Sequence, residues 1–282
     1  MEPSQSAVVT GGARGIGRAI AELLVRRGYL VVLTDVDGAA ARRTADEVGA
    51  VAGLPQDVAE ESSHAVVVKE ALVHGPLGVW FNNAGVGDDG ALAELTSDSV
   101  QRLVAVNLLG TAWGMRAALG AFGARGGDIV NIASLSGHGP VPGLSVYAAT
   151  KAGVVSLTGS VNAEVPRNVR VHAVCPDGVA TDMVAAMRPD GVAKALVHSG
   201  GGLLTAESVA AEAVALIGSS RVVRTLPGWR GALVRATALA PSVSMRGCRC
   251  SGHWAGARSA SSEVLTRRSN KCSPRDLIRS NR

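Results

Sequence analysis

Short apolar runs alternate with amphipathic stretches along most of the chain. The apolar runs, rich in valine and leucine, predict six buried strands and a weaker seventh, at residues 7–10, 29–34, 51–54, 78–82, 128–132, 169–174 and 222–226. Apolar residues three and four positions apart predict one helix that ends at Gly28 and others at residues 60–74, 97–122, 147–165 and 205–217. Residues 183–198 are partly helical in pattern, and Thr205 is the expected N-cap of the helix that follows it.

Strands that alternate with helices predict an α/β fold. We expect a single Rossmann-type, doubly wound parallel sheet of six or seven strands with helices on both faces. A sheet of this kind binds its ligands at the carboxyl ends of its strands, and the polar motifs of the chain fall at those ends.

Composition agrees with a buried parallel sheet. Hydrophobic residues make up 47% of the 282 residues and aromatic residues only 3%, so the core is built mainly from alanine, valine and leucine. No linker interrupts the pattern, which predicts one domain at residues 1–245. From residue 246 onward Ser, Gly, Arg and Cys dominate without periodicity, which predicts a basic, disordered tail at residues 246–282.

The formal net charge of +5 comes from the tail. Residues 246–282 hold nine Lys or Arg and two Asp or Glu, a net charge of +7 that leaves −2 for the rest of the chain. The folded part is therefore not basic, and nucleic acid is an unlikely partner for it. A contact of the tail with nucleic acid or a membrane surface stays as the less favoured alternative.

Nothing in the sequence directs the chain to a membrane or an oxidising compartment. No apolar run reaches the roughly 18 residues of a membrane span, and the N-terminus lacks the pattern of a signal peptide. The four cysteines do not form a disulfide framework, and no metal site is expected, because Cys248, Cys250, His253 and Cys272 are not spaced like a zinc knuckle. We predict a cytoplasmic protein without a membrane span.

A glycine loop follows the first strand and opens the first helix. Gly11, Gly15 and Gly17 let backbone amides approach a diphosphate at the helix N-terminus, although a glycine loop alone is often only a tight turn. Asp35 ends the second strand, where it can accept both hydroxyls of an adenosine ribose and repel a 2′-phosphate. These residues favour NAD, while Arg14 in the loop keeps NADP as the alternative.

A tyrosine and a lysine four residues apart indicate acid and base chemistry. On a helix, Tyr147 and Lys151 share one face, so the ammonium is expected to pull the phenol pKa from about 10 toward neutrality. Ser134 lies thirteen residues upstream as a hydroxyl partner. Alone, this spacing also fits a core tyrosine beside a surface lysine.

Taken together, residues 7–183 resemble the short-chain dehydrogenase/reductase family. The resemblance implies that Asp57 and Val58 contact adenine, that Asn83 to Gly85 pass near the adenine ribose, and that Asn107 completes the active site with Ser134, Tyr147 and Lys151. The implied cofactor-binding residues are Gly11, Arg14, Gly15, Ile16, Gly17, Asp35, Asp57, Val58, Asn83, Ala84, Gly85, Tyr147, Lys151, Pro176, Val179 and Thr181.

The resemblance implies a hydride transfer between NAD and a secondary alcohol or ketone, with a small-molecule substrate and a homo-oligomer, dimer or tetramer. Tyr147 would exchange the proton. Lys151 would lower the pKa of Tyr147 and hold the nicotinamide ribose. Ser134 would bind the substrate oxygen, and Asn107 would orient a water. The small and apolar residues 183–204 favour a lipid, steroid or acyl substrate.

Two alternatives stay open. One is an NADP-dependent ketoreductase such as a 3-oxoacyl-carrier-protein reductase, and the other is a dinucleotide-binding interaction protein whose catalysis is vestigial. The chain also departs from the family pattern, because Asp177 stands where a glycine is usual and the glycine-rich C-terminal strand is absent. These departures put the usual tetramer contacts and the substrate pocket in doubt.

Overall fold

The computed structural model describes residues 4–239. Its seven strands are β1 Ser6–Thr10, β2 Leu30–Asp35, β3 Ala52–Pro55, β4 Leu77–Asn82, β5 Gly127–Ile132, β6 Val169–Pro176 and β7 Val223–Leu226. All neighbouring strands pair in parallel, in the order β3-β2-β1-β4-β5-β6-β7. This is the doubly wound Rossmann-type sheet that the alternation predicts.

Ten helices connect or follow these strands in the described part of the chain. They are α1 Gly15–Arg26, α2 Gly38–Val48, α3 Glu61–His74, α4 Ser97–Val104, α5 Gly110–Ala121, α6 Ser145–Glu164, α7 Asp182–Ala185, α8 Val192–His198, α9 Ala206–Val214 and α10 Gly228–Leu239. β1 and β4 are neighbours in the sheet although β2 and β3 lie between them in the sequence. The direction in which strands are added to the sheet therefore reverses between β1 and β4. A crevice opens at such a reversal, at the carboxyl ends of the strands.

Two hydrophobic layers cover the two faces of the sheet. Because successive strand residues point to opposite faces, Val9 packs with α1 and α9 while Val8 packs with α3 and α5. Trp80, one of the largest fully buried side chains, belongs to the second layer and donates from Nε1 to Asn82 Oδ1 at 2.8 Å. The core thus fixes the strand register that positions the polar strand ends.

The helix predicted at residues 97–122 contains a π-turn. Residues 105–109 form this turn between α4 and α5, and Asn107 lies within it, fully buried. The whole stretch, Ser97–Ala121, is the one among residues 4–239 that is long and apolar enough to cross a membrane by length and composition. Its residue Met115 packs in the core against the sheet, as a core helix of a globular domain does, so this test is weak evidence for a span.

Several element predictions are confirmed and two helices were missed. β7 and the N-cap role of Thr205 are confirmed, since Thr205 Oγ1 accepts from Ser208 N at 3.1 Å. The pattern did not single out α2, which Asp37 caps by accepting from two backbone amides, or α10, which begins at Gly228, directly after Pro227. The predicted domain boundary at residue 245 and the tail, residues 246–282, lie outside the described residues.

Candidate active site

The glycine loop turns from β1 directly into α1. Gly11 and Gly15 have φ values of +61° and +55°, a region that L side chains rarely adopt. A Cβ on Gly17 would lie 2.2 Å from the carbonyl oxygen of Gly11, so only glycine lets the helix start this close to the loop. The first turn of α1, including Ile16, has no side-chain cap and no acidic residue. Its amides are therefore free to bind an anion.

The segment after β4 supports this loop. Asn83 Nδ2 donates to the carbonyl oxygens of Thr10 and Gly11, each at 2.9 Å. The amides of Asn83 and Ala84 both donate to Thr10 Oγ1, at 3.0 and 3.1 Å. A Cβ on Gly11 would lie 2.7 Å from the Cα of Ala84, so the two strand ends are in direct contact.

Asp35 lies beside the glycine loop at the end of β2. One carboxylate oxygen accepts from Ala13 N and the other from Asp37 N, both at 3.2 Å. Arg14 turns away from Asp35 and pairs with Asp182 at 3.1 Å, in a salt bridge whose side chains are 78% and 77% exposed. The acid thus belongs to the loop, and the guanidinium of Arg14 is paired with Asp182 at the surface.

Asp57 and Val58 follow β3 at the side of the glycine loop. Asp57 is exposed and accepts from Ala59 N at 2.9 Å, which shapes the turn. Val58 is buried against α5, where a Cβ on Gly110 would lie 2.9 Å from its Cγ2. Asp57 and Val58 directly follow Gln56. The backbone N–H of Gln56 donates to the carbonyl oxygen of Asp35 at 2.8 Å.

The side chains of Ser134, Tyr147 and Lys151 lie where β5 ends and α6 begins. Ser134 follows β5, and its Oγ accepts from Ser136 N at 3.2 Å. Ser134 also forms a side-chain hydrogen bond with the phenol of Tyr147, near the start of α6. One turn further on, Lys151 is buried, and its Nζ donates to the carbonyl oxygen of Ile132 at 2.8 Å.

The expected pKa of Tyr147 is wrong in direction. The residue is half-buried, and burial raises the pKa of the phenol above its ordinary value. The hydrogen bond with Ser134 acts against this rise. Lys151 does not reverse it, because its Nζ lies 5.8 Å from the ring centroid and burial lowers its own pKa to about 8.

Asn107 is held by the backbone after β4. Its Oδ1 accepts from Val86 N and its Nδ2 donates to Val86 O, both at 2.9 Å. A Cβ on Gly85 would lie 3.3 Å from Asn107 Oδ1 and 3.6 Å from Lys151 Nζ, so these three residues meet. These bonds make Asn107 a brace between the π-turn and the strand end.

A buried thiol lies beneath the centre. Cys175 stands near the end of β6 and accepts a hydrogen bond from the backbone of Ser134. Burial raises the pKa of this thiol to about 12, although Arg235 and Lys151 act in the other direction. The thiol is therefore neutral and inert as a nucleophile.

The segment after β6 closes the other side of the cleft. Pro176 ends the strand, Val179 pairs with Leu204, and Thr181 Cγ2 would be 3.5 Å from a Cβ on Gly15. The site residues predicted from the sequence are thus arranged around one crevice, at the carboxyl ends of the strands. Within the described residues no group of His, Cys, Asp or Glu has the arrangement of a metal site.

We call residues 178–204 the cap segment. Its two ends are joined, since Leu204 N donates to Gly178 O and Ala180 N donates to Leu204 O, both at 2.8 Å. Between them the segment reaches the loops after two other strands: Met183 contacts Gly87, Arg188 contacts the region of Asp89 and Glu94, and Ala193 contacts Gly143.

Sequence reasoning missed the residue that stands under this segment. Arg230 of α10 pairs with Asp177, with 2.9 Å between Nη1 and Oδ2, and its Nη2 donates to Ser199 Oγ at 3.1 Å. The signal was present in the sequence, because an acid in place of a usual glycine within a buried loop calls for a cation. Nothing in the spacing shows which arginine supplies it.

Comparisons with known proteins agree with this geometry. The family model for short chain dehydrogenases matches residues 5–191. A sorbitol dehydrogenase of Cereibacter sphaeroides is 41% identical over 177 residues, which cover 61% of this chain and 69% of that protein.

Two solved structures are similar in fold and sequence. A short chain dehydrogenase/reductase from Burkholderia phymatum in complex with NAD is 29% identical, with a TM-score of 0.76, and 86% of this chain and 96% of that chain are covered. A 3-ketoacyl-(acyl-carrier-protein) reductase from Brucella melitensis complexed with NADH is 27% identical, with a TM-score of 0.73, covering 80% and 98%. The family match spans every site residue from Gly11 to Thr181 and ends before Arg230.

Proposed function

This chain belongs to the short-chain dehydrogenase/reductase family, a family of oxidoreductases, and we propose that it transfers a hydride between NAD and a secondary alcohol or ketone. The observation that carries the proposal is the group of Ser134, Tyr147 and Lys151 at the carboxyl end of β5, next to an uncapped helix N-terminus. The side chains of Ser134, Tyr147 and Lys151 suit proton exchange, and the helix N-terminus suits the binding of a diphosphate.

The residues present fit a dinucleotide. The first-turn amides of α1 would hold the diphosphate, and Asp35 would accept the hydroxyls of the adenosine ribose. Lys151 would hold the nicotinamide ribose, with Thr181 beside the nicotinamide amide. Once bound, the nicotinamide supplies or accepts the hydride.

The chain's own residues handle the proton. Tyr147 gives its phenolic proton to the substrate oxygen during reduction and accepts it during oxidation, while Ser134 keeps that oxygen within hydrogen-bond reach. Lys151 stays mainly charged at neutral pH, because its pKa is about 8. Asn107 fixes Val86 and the strand end behind Lys151, and its role in orienting a water stays a prediction.

The cofactor preference follows from two carboxylates. Asp35 stands where a 2′-phosphate would lie, and its negative charge would repel that group. Asp182 pairs with Arg14, the residue that would otherwise stabilise the phosphate. NAD is therefore the cofactor we propose, and NADP is the alternative.

The substrate is proposed to be apolar. Met183 and Val192 are exposed large apolar side chains of the cap segment, 39% and 53% exposed, and they suit a lipid, steroid or acyl chain. The similarity to a sorbitol dehydrogenase favours a polyol instead, and the similarity to a 3-ketoacyl-(acyl-carrier-protein) reductase keeps an acyl ketone as the second candidate. A cytoplasmic location and a homo-oligomer, dimer or tetramer, stay predictions.

The test is a substrate screen with both cofactors. Reduction of NAD and of NADP is followed spectroscopically with secondary alcohols of three kinds: long-chain apolar alcohols, 3-hydroxyacyl thioesters and sugar polyols. We expect NAD reduction with the apolar or acyl alcohols, and a rate lower by about 10² to 10⁴ with Tyr147→Phe as the matched control. If the wild type binds NAD but turns over no alcohol or ketone, the vestigial binding protein is the correct interpretation.

A further inference from the structure

One guanidinium links the residue before the cap segment to a residue within its C-terminal part. Arg230 pairs with Asp177, the residue directly before the segment, and donates to Ser199, directly after α8. Its Nη1 is buried and makes no hydrogen bond of good geometry, so the ion pair with Asp177 is what compensates the charge at this atom. These contacts join β6, the cap segment and α10 at one point.

Burial makes this ion pair consequential. The side chains of Asp177 and Arg230 are only 13% and 14% exposed, whereas those of Glu212 and Arg224, a neighbouring acid and arginine pair, are 40% and 33% exposed. Removing one partner of a buried pair leaves an uncompensated charge, while an exposed pair contributes little. The two pairs therefore give a site and a matched control within one domain.

A glycine provides the space for the guanidinium. A Cβ on Gly200 would lie 1.9 Å from Arg230 Nη1 and 3.0 Å from Asp177 Oδ2. A free arginine end would move aside from such a methyl group, but one held by a buried acid would not. Gly202, two residues later, has no atom within 4 Å of its added Cβ and no positive φ.

We propose that Arg230 is a positioning residue for the substrate: by holding Asp177 and Ser199 together, it sets where the cap segment lies over the substrate cleft. The proposal rests on the proposed function, because the substrate is that of the hydride transfer. It assigns no chemical step to Arg230, which acts through the cap segment. Removal of Arg230 is therefore expected to weaken substrate binding and to leave NAD binding unchanged.

The first experiment measures the cap segment itself, in the full chain and without substrate. Hydrogen exchange is followed by mass spectrometry in α8 for Arg230→Met and for the control Arg224→Met, with α3 as internal reference because neither ion pair involves it. We expect exchange in α8 to rise at least about tenfold for Arg230→Met, because Asp177 is left buried and unpaired. Arg224→Met should leave it within about twofold, as an exposed pair does.

The glycine pair tests the same contact without removing a charge. Gly200→Ala should raise exchange in α8 and Gly202→Ala should not. In the Arg230→Met background, Gly200→Ala should add nothing, because the atom it would strike is gone. The double variant Asp177→Asn with Arg230→Met should exchange more slowly in α8 than either single variant, because no charge is then left unpaired.

The second experiment separates positioning from mere stability. Steady-state kinetics should show the substrate KM of Arg230→Met raised about tenfold with kcat changed less than about threefold, while the Kd for NAD is unchanged. A loss of folded protein would lower kcat alone. Unchanged exchange in α8 for both Arg230→Met and Gly200→Ala overturns the proposal, and so does faster exchange with an unchanged KM. If the wild type has no activity, the proposed function fails. The contact of Arg230 with the cap segment is judged separately, because unchanged exchange in α8 of the variants would reject it whether or not the wild type is active.

Discussion

The two sides of the cleft are built by different means. On the cofactor side, the glycine loop, Asp35 and Asn83 are joined by hydrogen bonds between side chains and the backbone and by contacts that only glycine permits. On the substrate side, the cap segment has backbone bonds between its own ends, and side-chain ion pairs between residues distant in sequence, such as Arg188 with Glu94 and Arg230 with Asp177, attach its region to the rest of the domain.

The two kinds of contact differ in how much substitution they tolerate. A backbone contact tolerates little change in the residue that makes it, because the atoms that clash are shared by all residues. A side-chain ion pair can be replaced as a unit, since its geometry depends on two residues only. We infer that the cofactor side is the rigid part of the domain and the substrate side the part that can be altered by paired substitutions.

The largest expected effect lies where the two sides meet. Tyr147→Phe removes only the hydroxyl that exchanges the proton, so kcat should fall by about 10² to 10⁴. NAD affinity and hydrogen exchange in the cap segment should both stay at the wild-type level, since the ring remains in place. Steady-state kinetics and calorimetry with NAD give the two values. Near-normal turnover would contradict the role of Tyr147.

A substitution in the glycine loop should break the cofactor side alone. In Gly17→Ala the added Cβ would lie 2.2 Å from the backbone oxygen of Gly11 and 2.5 Å from Asn83 Nδ2. Overpacking against backbone costs about 1–3 kcal/mol, so the Kd for NAD should rise about 10- to 100-fold. Gly159→Ala in α6, where nothing lies within 4 Å, is the control and should leave the Kd unchanged.

The pH dependence should differ between the two directions of the reaction. Burial raises the pKa of Tyr147, so the phenolate that oxidation needs increases about tenfold per pH unit between neutral pH and pH 10, and kcat for oxidation should rise in this range. Reduction uses the protonated phenol and should stay flat until Lys151 loses its charge above a pKa of about 8. A rate of reduction that falls from pH 6 to pH 7 would contradict both assignments.

Cofactor selectivity should shift when one acid is removed. Asp35→Ala loses a ribose acceptor and a negative charge, so the ratio of kcat/KM for NADP to that for NAD should rise about tenfold. Asp37→Ser removes a charge two residues away and keeps a helix-capping side chain, which makes it the control. Equal shifts in the two variants would mean that overall charge, and not the position of Asp35, decides the selectivity.

The smallest expected effect concerns the bridge between the two sides. Asp182→Asn releases Arg14, which should improve the use of NADP by about two- to threefold, because an exposed pair contributes little. The effect should disappear in 0.5 M salt and in an Arg14→Ala background. An unchanged selectivity in low salt would show that Arg14 does not respond to Asp182.

The sequence predicts the cofactor side well for a physical reason. Its determinants are local: glycines between a strand and a helix, and an acid at the next strand end, as with Gly17 and Asp35. The alternation of strands and helices predicts the parallel sheet, but not the order of its strands. The partner of Asp177 could not be predicted, since Arg230 lies 53 residues away and no periodicity relates the two.

The same limit applies to the chemistry of the centre. The spacing of Tyr147 and Lys151 correctly predicts one helix face, but the pKa of Tyr147 depends on how deeply the hydroxyl lies, which the spacing does not contain. α10 was missed because Pro227, Gly228 and Gly231 at its start resemble a turn more than a helix. This helix is nevertheless the source of Arg230 and Arg235.

Because of the π-turn at residues 105–109, the number of residues in this helix decides where Asn107 points. Such a turn amounts to one residue inserted into an α-helix, so deletion of one residue there would restore regular helical winding while the flanks kept their packing on the sheet. Asn107 would then rotate by about 100°, away from Val86. An insertion event, more than any substitution, would thus account for how this asparagine came to face the strand end.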